Sequence, residues 1–265
     1  MVKPHIDVVS TPSELILTTD QDGRQWYTEV LHEGFRAQYE VRNVVYDSDT
    51  PHQRLVVADT VTFGRVMSLD GITQVTTRDE YAYHEMLAHT PIFAHGYARR
   101  VLIIGGGDGG MAEEVLKHTT VEQLTMVEID AGVLDFAREH FAEINKGCFD
   151  DPRFNLVVAD GKEYAAKSKD RFDVIIIDST DPVGPGEVLF TSSFYADCKR
   201  LLNDGGVLVT QNGVPFFQPD ELQSTIISFT RLFADATCYL SVVPSYVGGF
   251  MAFGWGSDNK ALRKI

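Results

Sequence analysis

The stretch Val101–Val115, VLIIGGGDGGMAEEV, decides the fold. It opens as an apolar, β-branched run of the kind that forms a buried strand. A glycine turn follows, and a helix is expected from Met111. Gly105, Gly107 and Gly110 keep the G-x-G-x-x-G spacing that lets a backbone approach a nucleotide. Asp108 stands in the middle of the turn. A dinucleotide would place its pyrophosphate there, and like charges a few ångströms apart in partly desolvated surroundings repel by on the order of several kcal/mol. The loop is a poor seat for phosphate and a fitting one for a cation.

The alternation continues downstream. Strand runs LTMVEID, FNLVVADG, FDVIIIDS and GGVLVTQN are separated by helices from Ala131, near Glu163 and from Ser192 to Leu202. A helix from Pro219 to Phe233 precedes ATCYLSVVP and GGFMAFGW, and DEYAYHEMLAHTPIFAH supplies a helix before the first strand. Apolar strands separated by helices predict an α/β domain, a mostly parallel sheet with helices on both faces. Ligands of such sheets bind at the carboxyl ends of the strands, beside the point where strand order reverses. From Gln25 to about Arg78 the period is that of strands, with Asp70-Gly71 as a hairpin turn. The division expected is 1–80, a loosely tied extension to about residue 23 followed by a small antiparallel β domain, and 81–265, a Rossmann-like catalytic domain. The β domain is too small to bury all its apolar faces alone, so it should pack on the rest or on a partner subunit.

The 265 residues are 44% apolar and carry a formal net charge of -15. That charge argues against nucleic acid or an anionic membrane as partner. Cys148, Cys198 and Cys238 are widely spaced with no C-x-x-C pair, as reduced thiols would be. No signal-like segment opens the chain and no apolar run reaches membrane-spanning length, so a soluble cytoplasmic protein is expected. No metal site is expected: HEMLAH places its second histidine one residue late for H-E-x-x-H, leaving His84, His89 and His95 as pocket or helix-face residues. Ser192 and Ser193 lie outside any G-x-S-x-G context. Phe229 and Phe233 share a helix face and read as core.

Acids close the successive strands: Asp108 after the first, Glu128 after the second, Asp160 before Gly161 after the third, and Asp178 with Asp181 after the fourth. One such acid is an ordinary cap or turn former; the set together points to a ligand. Glu128 lies about twenty residues into the unit, where an acid hydrogen-bonds ribose hydroxyls. A ligand that offers a ribose to Glu128 and positive charge to Asp108, without phosphates, is a sulfonium nucleoside with an amine tail.

With these residues in place, GRVMSLDGITQVTTRDEYAYHEMLAH, VLIIGGGDGG, MVEID, DDPRFNLVVADG and DVIIIDSTDPVGPGEVLFTSSFY resemble the polyamine aminopropyltransferases of the spermidine synthase type. The resemblance runs from about Trp26 to the last residue. It implies a β domain on a methyltransferase-like Rossmann domain, assembled as a homodimer or homotetramer. It implies transfer of an aminopropyl group from decarboxylated S-adenosylmethionine, a co-substrate rather than a cofactor, to putrescine, giving spermidine and methylthioadenosine. Carried over by position, Asp108 would hold the donor's amine, Glu128 its ribose, and Asp160 with Gly161 its adenine. Gln53, His84 and Pro185 would line the donor site. Asp178 would be the base, Tyr83 and Asp181 would orient the acceptor, and Tyr246 would close its pocket. Two departures mark the resemblance: a longer N-terminal extension, and an end at Ile265 where members continue, which implies a flank truncated or absent. The rival readings are an S-adenosylmethionine methyltransferase, which Asp108 disfavours, and a non-catalytic polyamine-binding relative, which would have no need of Asp178 or Tyr83.

Overall fold

A computed structural model describes residues 13–49, 53–180 and 184–263. The chain divides into two compact units, Met1–Glu80 with Val243–Phe250, and Tyr81–Val242 with Met251–Ile265.

The first unit is a six-stranded antiparallel sheet in sequential order. After a short helix α1 (Ser13–Ile16) come β1 (Leu17–Thr19), β2 (Gln25–His32), β3 (Phe35–Asp49), β4 (Arg54–Thr60), β5 (Arg65–Leu69) and β6 (Ile72–Thr76). The turn joining β5 to β6 is Asp70-Gly71 with φ of 49° and 73°, the positive pair that a two-residue hairpin needs to match strand twist. Ile16, Tyr27, Val41, Val56, Ala58 and Val66 form its core. The expected loose extension is corrected here at residues 13–19: Ile16 is buried and β1 pairs with β2 through Leu17 and Tyr27. An apolar side chain with a sheet to cover outweighs the polar composition around it.

The segment 243–250 also belongs to this unit, a detour absent from the two-part division expected of the sequence. Its anchors are polar and local. Tyr39 Oη donates to Ser245 O at 2.6 Å, Asp79 accepts from Ser245 N at 2.7 Å, and Tyr246 Oη donates to Gln74 O at 2.6 Å. None of these bonds leaves a periodic pattern in sequence.

The second unit is a seven-stranded sheet. Helix α2 (Glu80–His95) precedes β7 (Arg100–Gly105), α3 (Gly110–Leu116), β8 (Gln123–Glu128), α4 (Ala131–His140) and the single turn α5 (Ala142–Asn145). Then come β9 (Phe154–Val158), α6 (Gly161–Lys167), β10 (Phe172–Asp178), α7 (Ser192–Leu201), β11 (Leu202–Gln211), α8 (Pro219–Leu232), β12 (Asp235–Val242) and β13 (Phe250–Ser257). Strand order is β12-β13-β11-β10-β7-β8-β9. The strands from β11 to β9 run parallel, and β13 is antiparallel to β11. The central strands are apolar on both faces because helices cover both: Leu102, Ile104, Ile175 and Ile177 are no more than 1% exposed and pack with Phe194, Tyr195 and Phe229. Each such side chain contributes roughly 1.5–3 kcal/mol of burial.

Chain order reverses between β7 and β10, since β8 and β9 build outward on one side and β10 and β11 on the other. That is the switch point at which an open parallel sheet leaves a crevice beyond its carboxyl ends. The residues paired there are Gly105 and Asp178. No helix among the described residues is long and apolar enough to cross a membrane.

Candidate active site

The crevice is built on the glycine turn. Gly105 has φ +89°, and a Cβ on it would stand 2.0 Å from the carbonyl oxygen of Asp178. Only glycine lets β7 turn away this close to β10. Gly106 N then donates to Asp178 O at 2.9 Å, locking turn to strand end. A Cβ on Gly106 would be 3.2 Å from Asp178 Oδ2, and one on Gly107 would be 3.2 Å from Glu128 Oε2. The bare backbone thus allows carboxylates from two strands to flank one loop.

Asp108 turns its carboxylate back on the loop. Its Oδ1 accepts from Gly110 N at 2.7 Å, at the start of α3. Helix N-termini ordinarily offer such N–H groups to a bound anion. Here the protein's own carboxylate takes one. His84, 2% exposed, approaches from α2 with Nε2 3.7 Å from Asp108 Oδ1. A Cβ on Gly110 would be 2.3 Å from His84 Cε1, so α2 and the start of α3 meet with no room for a methyl group.

Asp178 receives its hydrogen bond from Tyr83 Oη at 2.6 Å, with Tyr83 buried edge-on against Phe253. Burial pushes the Asp178 carboxyl up to about 6, and the charge of Asp108 adds to the rise; His84 and the Tyr83 hydroxyl oppose it. Burial also pushes Glu128 up to about 7, against hydrogen bonds from the backbone of Asp130 and Ile129. Among the described residues, no lysine or arginine forms an ion pair with Asp108, Glu128 or Asp178. The site is a cluster of carboxylates with an imidazole and a phenol as company.

The other residues singled out in the sequence fall differently. Asp160 is exposed at the end of β9, where it caps α6 by accepting from Lys162 N at 2.7 Å and Glu163 N at 3.1 Å. Gly161 opens α6, and a Cβ there would be 2.4 Å from Ile104 Cγ2. Gln53 precedes β4 in the first unit, half-buried, and Tyr246 lies in the 243–250 segment of the same unit. Pro185 is in the 3-10 segment Gly184–Phe190. Asp181 lies outside the described residues. Among the described residues no group of three or more His, Cys, Asp or Glu side chains could hold a metal ion.

Gln211 was not read from the sequence. Only 2% exposed at the end of β11, it donates from Nε2 to Ser179 O at 3.0 Å and Thr180 O at 3.2 Å, and its Oε1 accepts from Gly213 N at 2.8 Å. It pins the backbone that follows Asp178. The available signal was an amide closing an otherwise apolar strand next to the strand that carries the acid.

A parallel-rich sheet with a glycine turn and carboxylates at its switch point is a methyltransferase-like fold whose loop is charged against phosphate. Residues 80–264 match the family model described as spermine/spermidine synthase domain, and residues 25–77 match the spermidine synthase tetramerisation domain. A polyamine aminopropyltransferase of Ruegeria sp. is 57% identical over 240 residues, 91% of this chain and 84% of that one. Polyamine aminopropyltransferase 1 of Pseudomonas aeruginosa is 53% identical over 239 residues, 90% of this chain and 84% of that one. A spermidine synthase solved in complex with the transition state analogue AdoDATO superposes with a TM-score of 0.85 at 39% identity, covering 88% of this chain and 80% of that one. The spermidine synthase of Thermotoga maritima gives 0.83 at 36% identity, covering 90% and 81%. The chain belongs to the spermine/spermidine synthase family. It is a transferase of aminopropyl groups in polyamine biosynthesis.

Proposed function

We propose that the donor is decarboxylated S-adenosylmethionine and the acceptor putrescine, with spermidine and methylthioadenosine as products. The observation that carries this reading is the set of carboxylates Asp108, Glu128 and Asp178 around one glycine turn, with no lysine or arginine among the described residues paired to them. Such a set is relieved by cations, and both substrates are cations. Asp108 seats the donor's lone ammonium and repels the carboxylate that ordinary S-adenosylmethionine carries. Glu128 accepts from the ribose hydroxyls. Asp160 and Gly161 meet the adenine at the end of β9, His84 and Pro185 line the donor site, and Asp181 with Tyr83 orients the acceptor. The parts of Asp160, Gly161, Pro185 and Asp181, of Gln53 in donor binding and of Tyr246 in closing the acceptor pocket rest on the family resemblance alone.

The reaction needs a neutral amine in line with the carbon–sulfur bond of a sulfonium. That carbon is already activated, so no resident cofactor is required. Holding the pair in that geometry supplies several kcal/mol. The acceptor amine begins protonated, with an ordinary pKa of about 10. Asp178 at about 6 narrows a gap of about six pH units to about four, and burial rather than crowding by other carboxylates does most of this. The sulfonium's charge lowers the amine from the other side. Asp178 takes the proton whose loss frees the amine's lone pair; that pair forms the carbon–nitrogen bond as the carbon–sulfur bond breaks, and the carbon–sulfur electron pair leaves on sulfur as a neutral thioether.

The tetramerisation-domain match at 25–77 supports assembly into a homo-oligomer, dimer or tetramer. Methylthioadenosine release from the decarboxylated donor, with putrescine and then with longer and shorter diamines, tests the assignment. Release that is fastest with putrescine supports it. Release only with a different amine reassigns the acceptor, and methylation of any amine by S-adenosylmethionine overturns the reading.

A further inference from the structure

Away from the strand-end carboxylates, α2 and α3 share a second titratable cluster that the reaction does not use. Glu114 in α3 is 3% exposed. Its Oε1 receives Lys117 Nζ at 2.6 Å. Its Oε2 is buried, accepts no hydrogen bond from the described residues, and stands 3.1 Å from His89 Nε2 of α2. The other ring nitrogen of His89, Nδ1, lies 2.8 Å from His118 Nε2. One ring must donate in that contact and the other accept, so the pair holds at most one imidazolium. Burial, with the charge of His89, pushes His118 down to about 4, which makes His118 the neutral partner. Burial also pushes Glu114 up, against the pull of Lys117. Phe93 of α2 lies against both rings, with centroids 5.7 Å from His89 and 4.8 Å from His118.

The place of this cluster gives it a function. α2 carries Tyr83 and His84, which reach Asp178 and Asp108. α3 begins where the Asp108 loop ends. The two helices touch at His84 and Gly110, where no Cβ fits. They touch again about one turn further along both, at His89 and Glu114. A single contact is a pivot; two contacts fix an angle. We propose that Glu114, His89 and His118 form a positioning clamp that sets α2 against α3, and so sets where Tyr83 and His84 meet the carboxylates of Asp178 and Asp108. None of the three touches the reacting atoms. Their effect passes through helix placement, and displacements of around 1 Å at a reacting centre cost up to about a hundredfold in rate.

The inference rests on the reading of Asp178 as base for one of its two readouts, so the test carries both. His89→Leu, His118→Phe and His89→Gln are compared with the unmodified enzyme in kcat, KM for each substrate, and the pH profile of kcat/KM. With the clamp broken, His89→Leu and His118→Phe lose about tenfold or more in kcat, and the acid limb moves to higher pH because Tyr83 supports the Asp178 carboxylate less well. The side-chain amide that His89→Gln introduces can donate toward Glu114 and accept from His118, so this variant regains most of the rate. Folded apolar variants with kcat within about twofold and an unmoved limb overturn the clamp. So does a glutamine variant no faster than the leucine one at equal thermal stability. Should His89→Leu not fold, His118→Phe at its half-exposed position decides by the same readouts. An unmodified enzyme with no acid limb removes the base role of Asp178 separately, and the kcat comparison still supports or overturns the clamp.

Discussion

Tyr83→Phe isolates one hydrogen bond on the proposed base. Tyr83 Oη donates to Asp178 Oδ1 at 2.6 Å from a buried ring packed on Phe253, so phenylalanine keeps the shape and removes only the donor. A hydrogen bond to a charged group is worth roughly 1.5–3 kcal/mol. At the lower end, losing it raises the Asp178 carboxyl by about one pH unit, from about 6 toward the Glu128 range near 7. The sign follows from the form that works. The carboxylate must be ionised to accept the amine proton, and Tyr83 favours the ionised form, so its loss moves the acid limb of kcat/KM upward. On the acid side of the limb the variant should lose close to tenfold more than it loses on the alkaline plateau. Methylthioadenosine release followed from about pH 5 to pH 9, with both substrates below KM, reads this directly. A limb that stays in place or moves to lower pH would refute the role given to Tyr83 and, with it, the mechanism at Asp178.

Further outcomes follow from the same carboxylates. Burial raises Asp178 from 3.8 to about 6 and Glu128 from 4.5 to about 7. Each neutral form is therefore favoured in the folded protein; its stabilising effect is full at low pH and is lost as pH rises through those values, by about 3 kcal/mol apiece. Thermal melts should show that Glu128→Gln raises Tm relative to the unmodified protein at pH 8 more than at pH 5, and an equal difference at both would contradict this. Spermidine, as a cation for the same cluster, should raise Tm more at pH 8 than at pH 5. Asp108→Asn should weaken the decarboxylated donor by roughly 2 kcal/mol, about thirtyfold in its KM, with the KM for putrescine changed less; unchanged donor kinetics would sink the ammonium seat. Gly105→Ala places a methyl 2.0 Å from a backbone oxygen at a positive φ, and should cost at least about 3 kcal/mol by chemical denaturation, with activity lost alongside.

Much of the second unit was legible because its determinants are local. The apolar runs at β7, β8 and β10, their terminal acids and the glycine spacing between them are contiguous in sequence, and the parallel direction of the strands from β7 to β11, though not their order, follows from the strand–helix alternation. The charge of Asp108 leads to the expectation of a cation at the loop; the structure places its carboxylate on Gly110 N, beside His84. What stayed hidden depends on partners far apart in the chain. Gln211 meets Ser179 and Thr180 only because β11 lies beside β10. His89 and His118 become a pair only once α2 packs on α3, and the H-E-x-x-H comparison took in His89 without its partner His118. The 243–250 detour is held by Asp79, Tyr39 and Gln74, distant residues with no common period. Asp160 has a local role besides the one expected of it: it caps α6 by accepting from Lys162 N and Glu163 N.

The most direct measurement is the affinity of the unmodified enzyme for decarboxylated S-adenosylmethionine against S-adenosylmethionine, by calorimetry at fixed pH and salt. The two ligands differ only in the carboxylate that would face Asp108. If the glycine turn is a seat for an ammonium, the decarboxylated ligand binds at least about tenfold more tightly, and Asp108→Asn narrows the ratio. Equal affinity, or tighter binding of the carboxylated ligand, would contradict the reading from which the rest of the site is built.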